Sequence, residues 1–458
     1  MRPRPGLISF FDVCRELAKA LGDFSLGPLR HGMAFFKQRE SLQEFLQLER
    51  LSKPQQPPPT ATSTPPQHLV ISCGDASGES HACRLVQEFK KANPGIRLEG
   101  FGGQKLQAQG VKIWEPLADL NVMGFKDVFK QLPLFLRCVF LFSRYLRSQQ
   151  PDGILLVDYP GLHRHFIRIA NRAKVPVVHY IAPQLWAWSP WRIRDFSRAD
   201  ALITILPFEN DWYLKRGAKP VFVGHPLGDG LSNAAQEEAE LPAEFSRSQT
   251  ECWVGILPGS RRREIKENLP LLLQAAAALH HQNGRVRFVL PHLREPLFPL
   301  IEDILRTSPV EVLFAPGCFH RLIPELQAAW VTSGTAVLEV AAHQVPPVLV
   351  YRTTAIGAWL AKKWLSVPWI GGLNLMAGEE LTPEFVGPQI SPSALALSLS
   401  FLLEEENKAT FLTKLAPLMP LFAEAGPASR IARILQPHWK SDRIKLNDVP
   451  CASLPFSE

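Results

Sequence analysis

Leu257-Pro258-Gly259-Ser260-Arg261-Arg262-Arg263-Glu264 and Thr332-Ser333-Gly334-Thr335-Ala336-Val337-Leu338-Glu339 are the two stretches that decide the architecture of this chain. The first follows the apolar run Cys252 to Leu257, the second the run Trp330 to Thr332. Each then opens a helical pattern, so both are strand-to-helix corners. Such a corner aims backbone N–H groups and the positive end of a helix at one spot, which suits a phosphate. Arg261 adds a bidentate oxyanion donor, while Arg262 and Arg263 read as solvated helix charges. Ser260, Glu264, Ser333, Gly334 and Thr335 become candidate nucleotide contacts. Glu339 stands where its carboxylate could accept from sugar hydroxyls. One such corner can be no more than a tight turn; two in the same half point to a diphosphate ligand, and a sugar nucleotide would fill both.

Outward from these corners the chain alternates strand and helix. Strands are expected at 68–74, 96–101, 153–158, 176–181, 201–205 and 220–223, and again at 252–257, 286–290, 311–314, 329–332 and 347–350. Helical spacing fills the gaps, notably 79–92, 125–149, 162–173, 207–216 and 262–282. This rhythm predicts an α/β protein with two doubly wound parallel sheets facing a cleft, ligands sitting outside the carboxyl ends of the strands. Residues 68–232 form the expected first domain and 250–427 the second, joined by the polar stretch Asn233 to Gln249. Residues 428–458 are left as a helix end and tail. Residues 1–53 carry amphipathic segments, and 54–67 (PQQPPPTATSTPPQ) form a Pro-rich linker. That linker makes residues 1–53 an extension separate from the core, of unreadable role. Asp12, Glu16 and Asp23 argue against a transit peptide.

A net charge of +7 fits anionic partners: nucleotides, nucleic acid or an acidic membrane surface. The seven cysteines form no CxxC pair, which removes the zinc and dithiol signatures and reads as reduced, intracellular thiols. No run of eighteen apolar residues is present, so no single long helix is expected to span a bilayer.

Nine motifs in order then resemble the lipid-A-disaccharide synthase family over roughly residues 68–430. They are Gly74 to Glu79, Val122-Met123-Gly124, Val157 to Pro160, Tyr180 to Pro183 with Trp186-Ala187-Trp188, Leu206 to Glu209, Gly224-His225-Pro226, Leu257 to Glu264, Ser333 to Glu339, and Asn374 to Gly378 with Glu380-Leu381. The resemblance implies an inverting GT-B glycosyltransferase with two Rossmann-like domains. It implies transfer of diacylglucosamine from a UDP donor to diacylglucosamine 1-phosphate, giving a β-1,6-linked disaccharide and UDP. It also implies a place at the anionic cytoplasmic face of the bacterial inner membrane, with no cofactor and no nucleic-acid partner. Ser77, Glu79 and Met123 become acceptor candidates, and Asn374 a nucleotide candidate. Three positions depart from the family: Glu79 stands where it has Asp, Tyr159 to His163 replace its Ala-Pro-Asp-Phe-Asn, and Glu379 replaces an Arg. Another UDP-sugar GT-B enzyme, such as a UDP-N-acetylglucosamine 2-epimerase or a different UDP-sugar transferase, and an inactive sugar-nucleotide or lipid-binding homologue are the competing readings.

Inverting transfer needs a base on the acceptor hydroxyl and positive charge on the leaving diphosphate. Asp158, ending the apolar strand Ile154 to Val157, is either that base or the N-cap of the following helix. His163 and His165 are alternative bases. The chain has no Asp-x-Asp, so Arg261 and helix N-termini must carry the leaving group and no metal is expected. Trp186, Trp188 and Trp191 line an acceptor pocket or pack the core. Residues 125–147 (FKDVFKQLPLFLRCVFLFSRYLR) put Lys126, Lys130, Arg137 and Arg144 on one stripe among large apolar residues including Phe135 and Phe142. This helix is either an ordinary core helix or an interfacial one that rims the acceptor site and docks on lipid.

Overall fold

The structure, a computed structural model, describes residues 5–50, 66–120, 132–229, 245, 251–332, 334–423 and 426–435. Two compact units emerge, Leu227–Ala425 and the remainder of the chain.

The first unit is built on a seven-stranded parallel sheet. Its strands are β1 (His68–Cys73), β2 (Arg97–Phe101), β3 (Lys112–Glu115), β4 (Gly153–Val157), β5 (Val177–Tyr180), β6 (Ala201–Thr204) and β7 (Pro220–Phe222), in spatial order 3-2-1-4-5-6-7. All five residues of β4 are buried, because helices cover both faces of a parallel sheet and leave no solvent side. The order reverses between β1 and β4, paired in register from Leu69–Gly153 to Cys73–Val157. A doubly wound sheet opens its crevice at that switch point.

The second unit repeats the plan with six parallel strands: β8 (Cys252–Leu257), β9 (Val286–His292), β10 (Val312–Pro316), β11 (Ala328–Thr332), β12 (Pro347–Arg352) and β13 (Glu384–Gly387), in order 10-9-8-11-12-13. Here the order reverses between β8 and β11, whose last registered pair is Leu257–Val331. β3 and β13, each four residues long, were not expected from the sequence; both are edge strands with interrupted apolar patterns.

Both ends of the first unit differ from expectation. The expected helix end is present as Pro427–Leu435, but it belongs to the first unit: Ala428, Ile431, Ala432, Ile434 and Leu435 enter that unit's core, and Arg430 Nε donates to the Val223 carbonyl at 2.8 Å. Residues 5–50 are no separate extension either. They form helices Pro5–Phe36 and Gln38–Leu46, and Phe45 is buried against the rings of Trp186 and Phe208 at 5.8 and 5.1 Å. Leu48 is buried beside this apolar contact, and along Pro5–Phe36 paired charges hold the helix to the same unit.

Candidate active site

At the first unit's switch point, β1 hands over to Gly74-Asp75 and β4 to Asp158-Tyr159. Asp158 and Tyr159 both adopt left-handed backbone, φ 53° each. Two consecutive non-glycine residues there cost about 1–3 kcal/mol apiece, strain that persists only where surrounding structure imposes it. Two hydrogen bonds and the proline that follows do so. The Asp158 N–H donates to the Tyr180 carbonyl at 2.9 Å, the Tyr159 N–H donates to Asp158 Oδ1 at 2.9 Å, and Pro160 starts the next helix, Pro160–Ala173. The Tyr159 ring lies over Gly74, where a Cβ would fall 2.2 Å from the ring, so only glycine admits it.

The N-cap of Pro160–Ala173 is Tyr159, and the Asp158 carboxylate satisfies only its neighbour's N–H. The capping role left open for Asp158 is therefore removed. Burial, and secondarily the Asp75 carboxylate, outweigh the Tyr159 N–H and push the Asp158 carboxyl up to about 6. Asp75 is held by the Gly78 N–H at 2.6 Å as N-cap of Ala76–Ala92. A carboxylate tuned close to neutrality at a strained strand end is suited to take a proton. Ser77, the second residue of Ala76–Ala92, is exposed at the same rim.

Other candidates in this unit have different duties. Glu79 is buried and accepts the Leu106 N–H at 3.0 Å, bracing the turn at Gly103. Trp186 is a core residue whose Nε1 donates to the buried Glu209 at 3.0 Å. His163 is buried against Ser72 Oγ at 2.9 Å, and His165 bonds Glu16 at 3.0 Å, so neither faces the rim as a base. Met123 and Lys130 lie outside the described residues. The expected helix over 125–149 is observed as Leu132–Ser148, with Pro133 in its first turn. Phe142 stacks on Phe166 at 4.0 Å in the core, and half-buried Phe135 meets His165 edge-on at 4.8 Å. The apolar face of this helix packs against Pro5–Phe36 and Pro160–Ala173, which corrects the expectation that Phe142 sinks among acyl chains. Arg137 is exposed and paired with Glu115 at 2.9 Å; Arg144 is exposed.

In the second unit the two corners quoted first lie side by side at the carboxyl ends of β8 and β11. The corner after β8 turns on Gly259, φ 108°, where a Cβ would meet Glu264 Oε2 at 2.6 Å. Glu264 Oε2 accepts the Ser260 and Arg261 N–H groups at 2.9 and 3.2 Å, and Oε1 accepts from Arg261 Nη1 at 2.8 Å. The sequence predicts free N–H groups at this corner; those of Ser260 and Arg261 are instead taken by Glu264, which shapes the loop from within. Arg261 itself remains well exposed. Gly334 and Thr335 are exposed and Glu339 half-buried in the short helix Ala336–Ala342, while Ser333 lies outside the described residues. Asn374 is fully buried: its amide donates to the Thr382 carbonyl and Glu384, both at 2.8 Å, and accepts the Leu381 and Thr382 N–H groups. With every position of that amide engaged, Asn374 staples a loop and is not a nucleotide contact.

Two residues missed in the sequence complete this end of the sheet. Asn268 is buried and its Nδ2 bridges the corners, to the Pro258 carbonyl at 3.3 Å and Thr332 Oγ1 at 3.1 Å. Its signal was an amide four residues after Glu264 on an otherwise apolar helix face. His292, ending β9, accepts the Arg294 N–H on Nδ1 at 3.1 Å, which leaves Nε2 to donate to the Gly259 carbonyl at 3.2 Å.

A family model described as Lipid-A-disaccharide synthetase matches residues 69–416. The chain belongs to the lipid-A-disaccharide synthase family. It is a glycosyltransferase of lipid A biosynthesis. The lipid-A-disaccharide synthase of Syntrophus aciditrophicus is 32% identical over 367 residues, 80% of this chain and 96% of that one. Among solved structures, the calicheamicin glycosyltransferase CalG4 aligns with TM-score 0.52 at 15% identity, covering 81% of this chain and 98% of that chain. The UDP-GlcNAc 2-epimerase of Neisseria meningitidis bound to UDP-GlcNAc gives TM-score 0.52 at 15% identity, covering 80% and 98%. At such identity these two show the fold alone, the two-unit Rossmann-like GT-B architecture. The family match begins at residue 69, so the helix Pro5–Phe36 stands outside it.

Proposed function

We propose that the donor is UDP-2,3-diacylglucosamine, held by the second unit, and the acceptor 2,3-diacylglucosamine 1-phosphate, held by the first, at the cytoplasmic face of an anionic inner membrane. The observation that carries this reading is Asp158, its backbone left-handed and its half-buried carboxyl raised to about 6 at the first sheet's switch point.

Asp158 takes the proton from the acceptor's 6-hydroxyl as that oxygen attacks the donor's anomeric carbon. The bond to the UDP β-phosphate breaks from the opposite side, inverting the centre. Negative charge then develops on the departing diphosphate. Arg261, exposed and only loosely committed to Glu264, exchanges that carboxylate for phosphate, and the helix opening at Arg262 adds its positive end. Support for nucleotide binding in the second unit comes from both corners meeting at one switch point, tied by Asn268. Ser260, Gly334, Thr335 and Glu339 remain the residues proposed to meet the UDP-sugar, with Ser77 on the acceptor side. Incubating the full chain with both acylated substrates tests the reading: disaccharide 1-phosphate and UDP should form in equal amounts. UDP release without disaccharide would overturn it.

A further inference from the structure

The helix Pro5–Phe36 is amphipathic with its polar side turned inward. Asp12 and Glu16 are buried, and they meet a row of cations on the body. Asp12 accepts from Ser143 Oγ and Arg147 Nη2, both at 2.6 Å, and from Arg172 Nε at 3.0 Å. Glu16 accepts from Arg168 Nε at 2.8 Å and Arg172 Nη1 at 3.0 Å, and pairs with His165. Asp23 pairs with Arg30 at 2.6 Å and with Arg164. A soluble surface helix does the reverse, burying its apolar stripe and wetting its charges.

What remains outside is apolar. Phe11 and Leu29 are each 62% exposed and Phe10 57%, with Leu21, Leu26 and Met33 also exposed. Among the described side chains of this helix, Arg15 is the one exposed charged group, and every carboxylate faces in. Exposed Lys37 and Arg39 follow the helix end, with one exposed acid, Glu40, beside them. The helix Leu132–Ser148, packed against it, adds exposed Arg137 and Arg144. Thirty-two residues span about 48 Å, long enough to lie along a surface, and no described helix is apolar enough to cross a membrane.

We propose that Pro5–Phe36 is an interfacial helix that seats this protein on an anionic bilayer, with Phe10, Phe11, Leu21, Leu26, Leu29 and Met33 entering the acyl-chain boundary. Charge complementarity selects a lipid surface: the outward face carries large apolar residues with cations at its border and no acid of its own, the combination that anionic lipid binds. The buried carboxylates hold the helix in rotation. Without their arginine partners the apolar stripe would turn onto the body. The proposal deepens the substrate reading above, since an enzyme joining two acylated sugars finds them in a membrane. It differs from that reading in that the residues proposed to enter the bilayer lie outside the family match.

Co-sedimentation of the full chain with phosphatidylglycerol-containing vesicles, and with phosphatidylcholine alone, tests it. Wild type should sediment with the anionic vesicles. A Phe11→Ser, Leu29→Ser variant should lose about tenfold or more of its partitioning, since each large side chain contributes at least that much when withdrawn from water. Arg15→Glu should weaken binding most at low salt. Both variants change exposed residues, so melting temperature and turnover on detergent-dispersed substrates should match wild type. Vesicle binding by wild type that both variants retain would overturn the proposal, as would failure of wild type to bind. A wild-type dimer that the Phe11→Ser, Leu29→Ser change dissociates would overturn it in favour of a second copy of the chain. Helix-dependent vesicle binding without disaccharide formation would sink the substrate reading and leave this proposal standing.

Discussion

Replacing Asp158 with Asn should trade activity for stability, and the size of the trade follows from the site. The Asp158 carboxyl is raised from an ordinary 3.8 to about 6 by burial and by Asp75. That is about two units, or on the order of 3 kcal/mol. The folded pKa exceeds the unfolded one, so the stabilisation this group contributes is complete below about pH 4 and is lost as pH rises through about 6. Above that, the ionised carboxylate burdens the wild-type fold by the full amount. Asn keeps the shape and the acceptor for the Tyr159 N–H and carries no charge. In urea unfolding the Asn variant should be more stable than wild type by about 3 kcal/mol at pH 8 and by about half that at pH 5. Turnover should fall by about 10²–10⁴-fold, because the proton has no acceptor. In wild type, turnover should rise with pH through about 6 as Asp158 ionises. A folded Asn variant with wild-type turnover, or a stability gain that is the same at both pH values, would refute the argument that Asp158 is a tuned base.

Arg261→Ala should weaken UDP binding by about 1.5–3 kcal/mol in calorimetric titration, the worth of a charge-assisted hydrogen bond to phosphate; unchanged affinity would remove Arg261 from the site. Asn374→Ala should cost at least about 2 kcal/mol of stability, since it strands four buried hydrogen-bonding partners, while UDP affinity stays at wild type. A selective loss of UDP affinity there would restore Asn374 as a ligand contact. Glu16→Gln should release the helix Pro5–Phe36, because removing one member of a buried ionic cluster leaves its partners unpaired at about 3–5 kcal/mol; hydrogen exchange over residues 5–36 reads it directly. Burial by itself would raise the Glu16 carboxyl, but the His165 hydrogen bond and the Arg168 and Arg172 charges hold it down to about 2. Its contribution is therefore present above about pH 4.5 and fades as pH falls towards 2, so acid should free the same helix in wild type.

The sequence by itself determined the parallel α/β plan, most strand positions, and the location of both phosphate-type corners and of Asp158. These signals are local: buried parallel strands read as continuous apolar runs, and a glycine at a strand end marks a corner wherever the rest of the chain lies. The ordered motifs added the family, for the same reason. Tertiary structure alone decided which polar residues brace the fold and which are left exposed at the sheet ends. Glu79, Glu264 and Asn374 carry functional-looking side chains in functional-looking stretches, yet each spends its hydrogen bonds on neighbouring backbone. Tertiary structure also decided the rotation of the helix Pro5–Phe36. Asp12, Glu16 and Asp23 share one side of that helix, but Arg147, Arg164, Arg168 and Arg172, which meet them, stand 135 to 160 residues away. Helical periodicity tells which residues share a face. It carries no information about which face turns inward when the inward partner is a charge presented by a distant helix.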